Sequence, residues 1–251
     1  CNSGAEAIES AIKLIKKYGN SKNKSKESLI LTAESSFHGR TIGALSATGQ
    51  PKYQEGFKPL LSGFRFFRYN DIDSVKKIFS ESAQNNQTIS GVIIEPIQGE
   101  GGVIPGNKIF FRELRDLCDK NDTLLILDEV QSGVGRTGKM WGYQNLEIEP
   151  DGFTLAKGLG GGHPIGALLV NKKANIFNPG DHASTFGGNP FSCRAAITVL
   201  EEIKRRNLLQ NVISKGNQIE EGLDKLASDF PHIIEGRRGM GLLQGIVLKE
   251  N

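Results

Sequence analysis

The sequence predicts an α/β domain with a mostly parallel sheet, because short apolar runs alternate with segments of helical period along the chain. Buried strands are expected at Leu29 to Thr32, Gly91 to Glu95 and Leu124 to Asp128. An amphipathic helix is expected before them, and its apolar stripe consists of Ala7, Ile8, Ala11, Ile12 and Ile15. Parallel strands need crossover connections of this kind, which are usually helices.

The remaining elements continue the same alternation. Further strands are expected at Phe64 to Tyr69, Phe153 to Ala156 and Ile165 to Val170. Two more helices are marked by apolar stripes, which are Val75, Ile78 and Phe79 in the first and Phe110, Leu114 and Leu117 in the second. Asn70 or Asp71 should cap the first of these helices, and a polar loop from Gln84 to Thr88 should follow it.

The pattern changes after Asn189, where two long amphipathic helices follow one another. Their apolar stripes are Ala195, Ala196, Val199, Leu200 and Ile203 in the first, and Ile219, Leu223 and Leu226 in the second. We therefore predict a domain boundary near Pro190, with a large domain over residues 1–190 and an incomplete second domain over 191–251. The segment from Gly241 to Leu248 resembles a strand without a visible partner, and residue 1 is not Met, so we expect a piece of a longer protein.

The composition fits a globular protein and argues against several partners. Of 251 residues, 37% are hydrophobic and 24% are charged, which is ordinary for a soluble domain. The net charge of +3 is small and the one basic cluster, Lys13 to Lys26, resembles a solvated surface, so no nucleic-acid partner is expected. Cys1, Cys118 and Cys193 show no pairing pattern, which favours a reducing compartment. Because no apolar run approaches the roughly 20 residues that span a bilayer, we expect a cytoplasmic protein without a membrane partner.

Two ionisable residues stand at the ends of predicted strands. Lys157 follows Phe153 to Ala156, and Asp128 closes Leu124 to Asp128. Open α/β sheets bind ligands at the carboxyl ends of their strands, so both side chains are expected in one crevice. An amine and a carboxylate placed in this way suit pyridoxal phosphate, which carries an aldehyde and a basic ring nitrogen. Taken alone, Lys157 could be an exposed surface lysine and Asp128 a helix cap, while the lack of nearby His or Cys ligands argues against a metal.

Other segments offer weaker signals of the same site. Ser3, Gly4 and Ala5 open the first helix, where backbone N–H groups could hold a phosphate, although Ser3 could equally be a simple N-cap. Phe37 could stack on a flat ring and Arg40 could bind a substrate carboxylate. Considered separately, a core aromatic residue and a surface ion pair are the more common roles for such residues.

Five segments, taken in order, resemble class III aminotransferases. They are Ser3 to Ala7, Phe37 to Thr41, Glu95 to Gly102, Leu127 to Gly133 and the segment around Lys157. Within that class, Ala47 to Tyr53 and Ala183 to Pro190 are similar to members that act on N2-acetylornithine. The resemblance covers essentially the whole chain. It implies a fold-type I pyridoxal-phosphate-dependent transferase, with a cofactor-binding large domain over residues 1–190 and the beginning of a small C-terminal domain over 191–251.

The resemblance also implies roles for individual residues. Lys157 would bind the cofactor aldehyde and carry the proton, and Asp128 would hold the ring nitrogen. The full set of implied cofactor-binding residues is Ser3, Gly4, Ala5, Phe37, Asp128, Glu129, Val130, Gln131, Lys157 and Thr185. Arg40 and Ser184 would meet the substrate, while Glu100 would screen an arginine that binds the oxo acid.

The implied enzyme is a homodimer whose active sites lie at the subunit interface, with Thr185 donated by the other subunit. It would move an amino group from N2-acetylornithine to 2-oxoglutarate in arginine biosynthesis. Two alternatives stay open at this point. One is another class III aminotransferase, acting on ornithine, 4-aminobutyrate or succinylornithine. The other is a non-catalytic fragment that keeps only the fold and the dimer surface.

Overall fold

The computed structural model describes residues 1–22 and 27–249. The helices are α1 (Gly4–Lys22), α2 (Ile42–Ala47), α3 (Pro51–Gln54), α4 (Ile72–Gln84), α5 (Lys108–Lys120), α6 (Pro190–Arg205) and α7 (Leu208–Asp229). The strands are β1 (Glu27–Ala33), β2 (Phe64–Phe67), β3 (Gln87–Ile94), β4 (Ile97–Gln98), β5 (Ile104–Pro105), β6 (Leu124–Asp128), β7 (Gly152–Leu155), β8 (Ala167–Val170), β9 (Ile234–Met240) and β10 (Leu243–Leu248). Short 3-10 helices occupy Gly142–Asn145 and Lys157–Gly160.

Six strands form the main sheet, in the order β2-β1-β3-β6-β7-β8. Neighbouring strands run parallel except β7 and β8, which are antiparallel. Ile93 of β3 lies opposite Ile126 of β6, and Asp128 lies opposite Thr154 of β7. The predicted α/β fold with a mostly parallel sheet is confirmed, and its parallel strands end at one common edge.

Helices cover both faces of this sheet. Because side chains alternate along a strand, Leu125 and Leu127 of β6 belong to the core beneath α4 and α5, whereas Leu124 and Ile126 belong to the core beneath α1. All four side chains are fully buried. In β6, which is buried on both faces, Asp128 at the last position is the one polar residue.

Local capping chemistry sets where the helices on one face begin. The Asp71 carboxylate accepts a hydrogen bond from the Ser74 N–H, so Asp71 caps α4 as predicted. Asn107 caps α5 by accepting from the N–H groups of Ile109 and Phe110. The predicted loop from Gln84 to Thr88 is wrong at both ends, because α4 extends to Gln84 and β3 already begins at Gln87.

The C-terminal part contains an element that the sequence analysis missed. The expectation that the strand within Gly241 to Leu248 lacks a partner is wrong, because β10 pairs with β9 in antiparallel fashion and Leu243 lies opposite Met240. The sequence of β9, IEGRRGM, lacks a run of apolar residues and so gave no strand signal. The helices α6 and α7 confirm the two predicted amphipathic stretches. The domain boundary near Pro190 stays a prediction.

Two predictions about partners depend on surface features. Within the ranges 1–22 and 27–249, no helix has the length and apolar character that a membrane crossing requires. Part of the predicted basic cluster, residues 23–26, lies outside the described residues.

Candidate active site

A cavity of about 480 Å³ opens at the carboxyl-terminal edge of the sheet. Its walls come from the beginning of α1 and from the segments that follow β1, β3, β6 and β7. The predicted site residues that line it are Ser3, Gly4, Ala5, Phe37, Arg40, Asp128, Val130, Gln131 and Lys157. Lys157 and Asp128 therefore share one crevice, as strand ends of a parallel sheet would place them.

Asp128 is the last residue of β6 and is 5% exposed. Its Oδ2 atom accepts a hydrogen bond from His38 Nδ1 at 2.7 Å. Its Oδ1 atom accepts from the Val130 N–H at 3.1 Å and from Thr154 Oγ1 at 3.1 Å. Three donors on two oxygens fix the orientation of this carboxylate. Such fixation is what a group needs to hold one ring atom of a cofactor.

His38 is the closest partner of Asp128 and was missed as a site residue. Burial lowers its pKa, but the hydrogen bond and charge of Asp128 and the charge of Glu95 outweigh burial, so the pKa of His38 is raised. Its Nε2 atom is buried and has no hydrogen-bond partner among the described residues. Because His38 also lines the cavity, an unpaired polar atom lies beside the place where a ligand would bind.

Lys157 begins the short helix after β7 in a strained backbone conformation. Its φ angle is +41°, a region that residues other than glycine seldom occupy and that is often found at functional sites. Part of the side chain is exposed in the single chain, yet burial lowers the pKa of the Lys157 amine, while the charges of Asp128, Glu100 and Glu95 oppose this effect. A lowered pKa increases the fraction of neutral amine, the form that reacts with an aldehyde.

The beginning of α1 forms a third wall of the cavity. Ser3 Oγ accepts a hydrogen bond from the Glu6 N–H at 3.2 Å, so Ser3 acts as an N-cap. The N–H groups of Gly4 and Ala5 belong to the first turn, where helix geometry provides no acceptor. A Cβ atom at Gly4 would lie 3.0 Å from Val130 Cγ1, so glycine permits α1 to approach the segment after β6. A phosphate group fits such a helix start.

Arg40 is held by aromatic rings. Its guanidinium carbon lies 4.6 Å from the centroid of the Tyr53 ring and 5.7 Å from that of Phe37. Phe37 and Tyr53 meet edge to face, with centroids 5.6 Å apart. No acidic side chain within the described ranges pairs with Arg40. Cation–π contacts leave the guanidinium donors free for a carboxylate.

Glu129 is buried next to the cavity, but its side chain is directed elsewhere. Its Oε2 atom accepts hydrogen bonds from Ser132 Oγ at 2.7 Å and from the Gly142 N–H at 2.8 Å. Its Oε1 atom accepts from the Tyr143 N–H at 2.6 Å. The carboxylate thus fastens the loop after β6. This geometry gives no support for a contact between the Glu129 side chain and a cofactor.

Three further predicted residues lie outside the lining of the cavity. Glu100 is exposed, and its Oε1 atom lies 3.4 Å from Gln131 Nε2, which does line the cavity. Ser184 Oγ accepts from Asn2 Nδ2 at 3.0 Å, and Thr185 is exposed. The roles predicted for these residues stay predictions.

Glu95 opens the segment Glu95 to Gly102 that carries part of the resemblance, but it was not predicted as a site residue. It follows β3 directly, is 4% exposed and lines the cavity. Burial and the negative charge of Asp128 raise its pKa to about 8, against the opposing effects of His38 and two backbone N–H groups. The sequence did contain a signal for Glu95 as a site residue, because Glu95 directly follows the buried strand β3, much as Asp128 ends the buried strand β6. Asn2 and His163 also line the cavity without having been predicted.

Comparisons with known proteins agree with this geometry. The family described as aminotransferase class-III matches residues 1–251. The acetylornithine aminotransferase of Prochlorococcus marinus subsp. pastoris is 74% identical over 100% of this chain. The ornithine aminotransferase structure from Toxoplasma gondii superimposes with a TM-score of 0.92, at 31% identity, over 99% of this chain and 59% of its own. An amine transaminase from an uncultivated Pseudomonas species, solved in the PLP-bound form, gives a TM-score of 0.86 at 29% identity over 96% of this chain and 60% of its own.

These matches establish the family, although the chain matches only part of the length of each relative. The chain spans about 60% of the length of the Prochlorococcus relative. Class III aminotransferases use pyridoxal phosphate, so the predicted cofactor is confirmed at the level of the family. Over its full length, this chain belongs to the class III aminotransferases.

Proposed function

We propose that the whole protein transfers an amino group from N2-acetyl-L-ornithine to 2-oxoglutarate. The products are N-acetyl-L-glutamate 5-semialdehyde and L-glutamate, which places the reaction in arginine biosynthesis and, by expectation, in the cytoplasm. The observation that carries the chemistry is that Lys157 and Asp128 line the same cavity. The choice of amino donor rests on the relative named acetylornithine aminotransferase, at 74% identity.

The residues of the cavity fit pyridoxal phosphate. When bound, this cofactor supplies an aldehyde carbon that takes up the amino group and a protonated ring that withdraws electrons. Asp128, oriented by three hydrogen bonds, would hold the ring nitrogen. The first-turn N–H groups of Gly4 and Ala5 would hold the phosphate. The unpaired His38 Nε2 atom adds a buried polar position beside this place.

Side chains on either side would keep the flat ring in position. Val130 lines the cavity two residues after Asp128, and Phe37 lines it from the segment after β1. Gln131 would bind the phenolic oxygen of the ring. Because Gln131 Nε2 lies 3.4 Å from Glu100 Oε1, this amide would also link Glu100 to the cofactor.

Lys157 would move the proton during transfer. Its amine would take the proton from the substrate carbon that carries the amino group and deliver it to the carbon that was the aldehyde carbon of the cofactor. Burial lowers the pKa of Lys157, which favours the neutral form that can accept a proton. A general base in this role contributes about 10²- to 10⁴-fold to the rate.

Arg40 would bind a carboxylate of the substrate. Its guanidinium lies against the rings of Tyr53 and Phe37 and has no acidic partner within the described part of the chain. The same rings restrict its movement, so little conformational entropy is lost when substrate binds.

We further propose that a second copy of the protein completes each site, with Thr185 and Ser184 acting there. Two features support this proposal. Thr185 lies outside the cavity of its own chain, and the adjacent Phe186 is 74% exposed. Exposed aromatic residues of this kind are common at protein interfaces.

To test this proposal, the whole protein is given pyridoxal phosphate, 2-oxoglutarate and one amino donor at a time, and the rate of glutamate formation is measured. We expect kcat/KM for N2-acetylornithine to exceed that for ornithine, 4-aminobutyrate or succinylornithine by roughly ten-fold or more. A preference for another donor would overturn the donor assignment and leave the aminotransferase assignment in place. If no donor yields glutamate, the non-catalytic alternative replaces the proposal.

A further inference from the structure

Glu95 is a buried carboxyl group whose two oxygens contact two different segments. Its Oε2 atom accepts a hydrogen bond from the Phe37 N–H at 3.2 Å. Its Oε1 atom accepts from the Gly99 N–H at 3.4 Å. The backbone is fixed as well, because the Glu95 carbonyl accepts from the Tyr69 hydroxyl at 2.9 Å. A single anchored side chain therefore connects two loops that are far apart in sequence.

Both loops carry residues that the proposed function uses. We call residues 37–40 the aromatic arm, in which Phe37 and Arg40 both line the cavity. We call residues 99–102 the glycine arm, which carries Glu100. The two arms approach the cavity from the segments after β1 and β3. Their relative position sets the space left for substrate, and Glu95 is the contact that both arms share.

The surroundings of Glu95 make its ionisation costly without preventing it. The titratable and charged groups that line the same cavity or couple to Glu95 are His38, Arg40, Tyr69, Asp128, Lys157 and His163. None of the lysines or arginines in the described ranges forms an ion pair with Glu95. Burial is the largest effect on its pKa, and the result is a value of about 8.

We propose that Glu95 is a positioning residue that ties the aromatic arm to the glycine arm, and that it ties them more firmly once it has lost its proton. This role rests on the proposed function, because the two arms matter through the cofactor and substrate residues that they carry. Glu95 itself is assigned no contact with the reacting atoms.

The number of oxygens that can accept a hydrogen bond depends on whether the Glu95 carboxyl group is protonated. In the ionised form both oxygens accept, and hydrogen bonds to a charged group are shorter and stronger than those to a neutral one. In the protonated form one oxygen carries hydrogen and becomes a poor acceptor, so one of the two N–H contacts weakens. Deprotonation should therefore order both arms at once.

Hydrogen exchange of the whole protein with bound pyridoxal phosphate tests this proposal. Exchange is followed by mass spectrometry in the segments 35–40 and 97–102 across about pH 6.5 to pH 9.5, and corrected for the intrinsic pH dependence of exchange. In the unmodified protein, protection of both segments should rise by roughly 5-fold through one protonation step, as expected for strengthening one hydrogen bond. In Glu95→Gln, which keeps the shape but cannot ionise, the step should disappear.

Asp151→Asn is the matched control. Asp151 is also a buried carboxylate that accepts a backbone N–H, but its partners are Leu125 and Arg115. This variant should be less stable and still show the step in both segments. A step that persists in Glu95→Gln, or an unmodified protein without a step, would overturn the proposal.

The steady-state kinetics of a third variant provide a separate test. Glu95→Ala should raise KM for 2-oxoglutarate roughly 5-fold, with a smaller change in kcat, because one or both arms lose their fixed position. An unchanged KM would contradict the positioning role. Hydrogen exchange does not require turnover, so a protein that shows the step but transfers no amino group would refute the proposed function and leave the role of Glu95 intact.

Discussion

Two buried carboxyl groups in this molecule differ in their charged partners. Asp151, which precedes β7, forms an ion pair with Arg115 at 3.0 Å and accepts hydrogen bonds from the Leu125 N–H and the Asn171 amide. Glu95, at the other end of the sheet, has no basic partner at ion-pair distance in the ranges 1–22 and 27–249, and its pKa is raised to about 8. A carboxylate with a full set of partners stabilises the fold, whereas one left incompletely neutralised can change its charge state during function.

Asp128 lies between these two cases. It is fixed as firmly as Asp151, but the groups that fix it are a histidine, a hydroxyl and a backbone N–H. Its charge is therefore not cancelled by a lysine or an arginine held against it. The two buried acids at the carboxyl edge of the sheet have no lysine or arginine as an ion-pair partner within the described residues, whereas Asp151 is paired with Arg115.

The largest expected effect comes from Asp128→Asn. Loss of the carboxylate charge opposite the ring nitrogen should lower kcat of the whole protein by about 10²- to 10³-fold, the range found when one preorganised electrostatic contact is removed. Denaturant unfolding should show a much smaller change. Near-normal turnover in this variant would remove Asp128 from the active site and with it the distinction from Asp151.

Asp151→Asn should have the reverse result. It removes the buried partner of Arg115, which keeps only its exposed partner Asp119, so the free energy of unfolding should fall by about 1 to 3 kcal/mol. The kcat of the molecules that remain folded should be unchanged. Urea unfolding together with steady-state kinetics gives both values, and a selective loss of kcat would show that the two carboxylates do not differ as described.

A smaller effect is expected from substitutions of His38. His38→Leu removes a hydrogen bond to a charged group, so binding of pyridoxal phosphate should weaken roughly 10- to 100-fold. His38→Asn places a neutral donor near the position of Nδ1 and should recover most of this loss. Cofactor titration followed by absorbance measures both variants. Equal weakening in both would indicate that His38 acts only through packing.

The smallest expected effect is the pH dependence of the free energy of unfolding that His38 contributes. The pKa of His38 is raised in the folded protein above its ordinary value of 6.5, so protonation of His38 favours the folded state. This contribution is fully present below about pH 6.5 and is lost as the pH rises through the folded pKa. The stability advantage over His38→Asn should thus shrink as the pH rises above about 6.5, and urea unfolding at a series of pH values checks the sign. An advantage that grows with pH would mean that His38 is neutral in the folded state.

Much of the fold was predictable because central strands such as β3 and β6 are buried and contain continuous apolar runs. The same signal placed Asp128 and Lys157 at one sheet edge, which the cavity confirms. The strand β9 was missed because its half-buried, arginine-containing sequence has no such run. Its pairing with β10 is a tertiary contact that local propensity does not encode.

The site residues that were not predicted from the sequence were missed for one physical reason, which is that their contacts join distant parts of the chain. His38 and Asp128 are separated by 90 positions, and the hydrogen bond between them follows from how β1 and β6 lie in the sheet. The part played by Glu95 likewise depends on two loops that meet only in the folded chain. Sequence position identified Glu129 as a neighbour of Asp128, yet its side chain is directed toward the loop after β6.

The central claim is that Lys157 and Asp128 hold opposite ends of one pyridoxal phosphate molecule. A crystal structure of the whole protein with this cofactor bound tests it most directly. We predict a covalent bond between Lys157 Nζ and the former aldehyde carbon of the cofactor, and an Asp128 oxygen within about 3 Å of the ring nitrogen. A cofactor attached to another lysine, or a ring nitrogen without a contact to Asp128, would contradict the account.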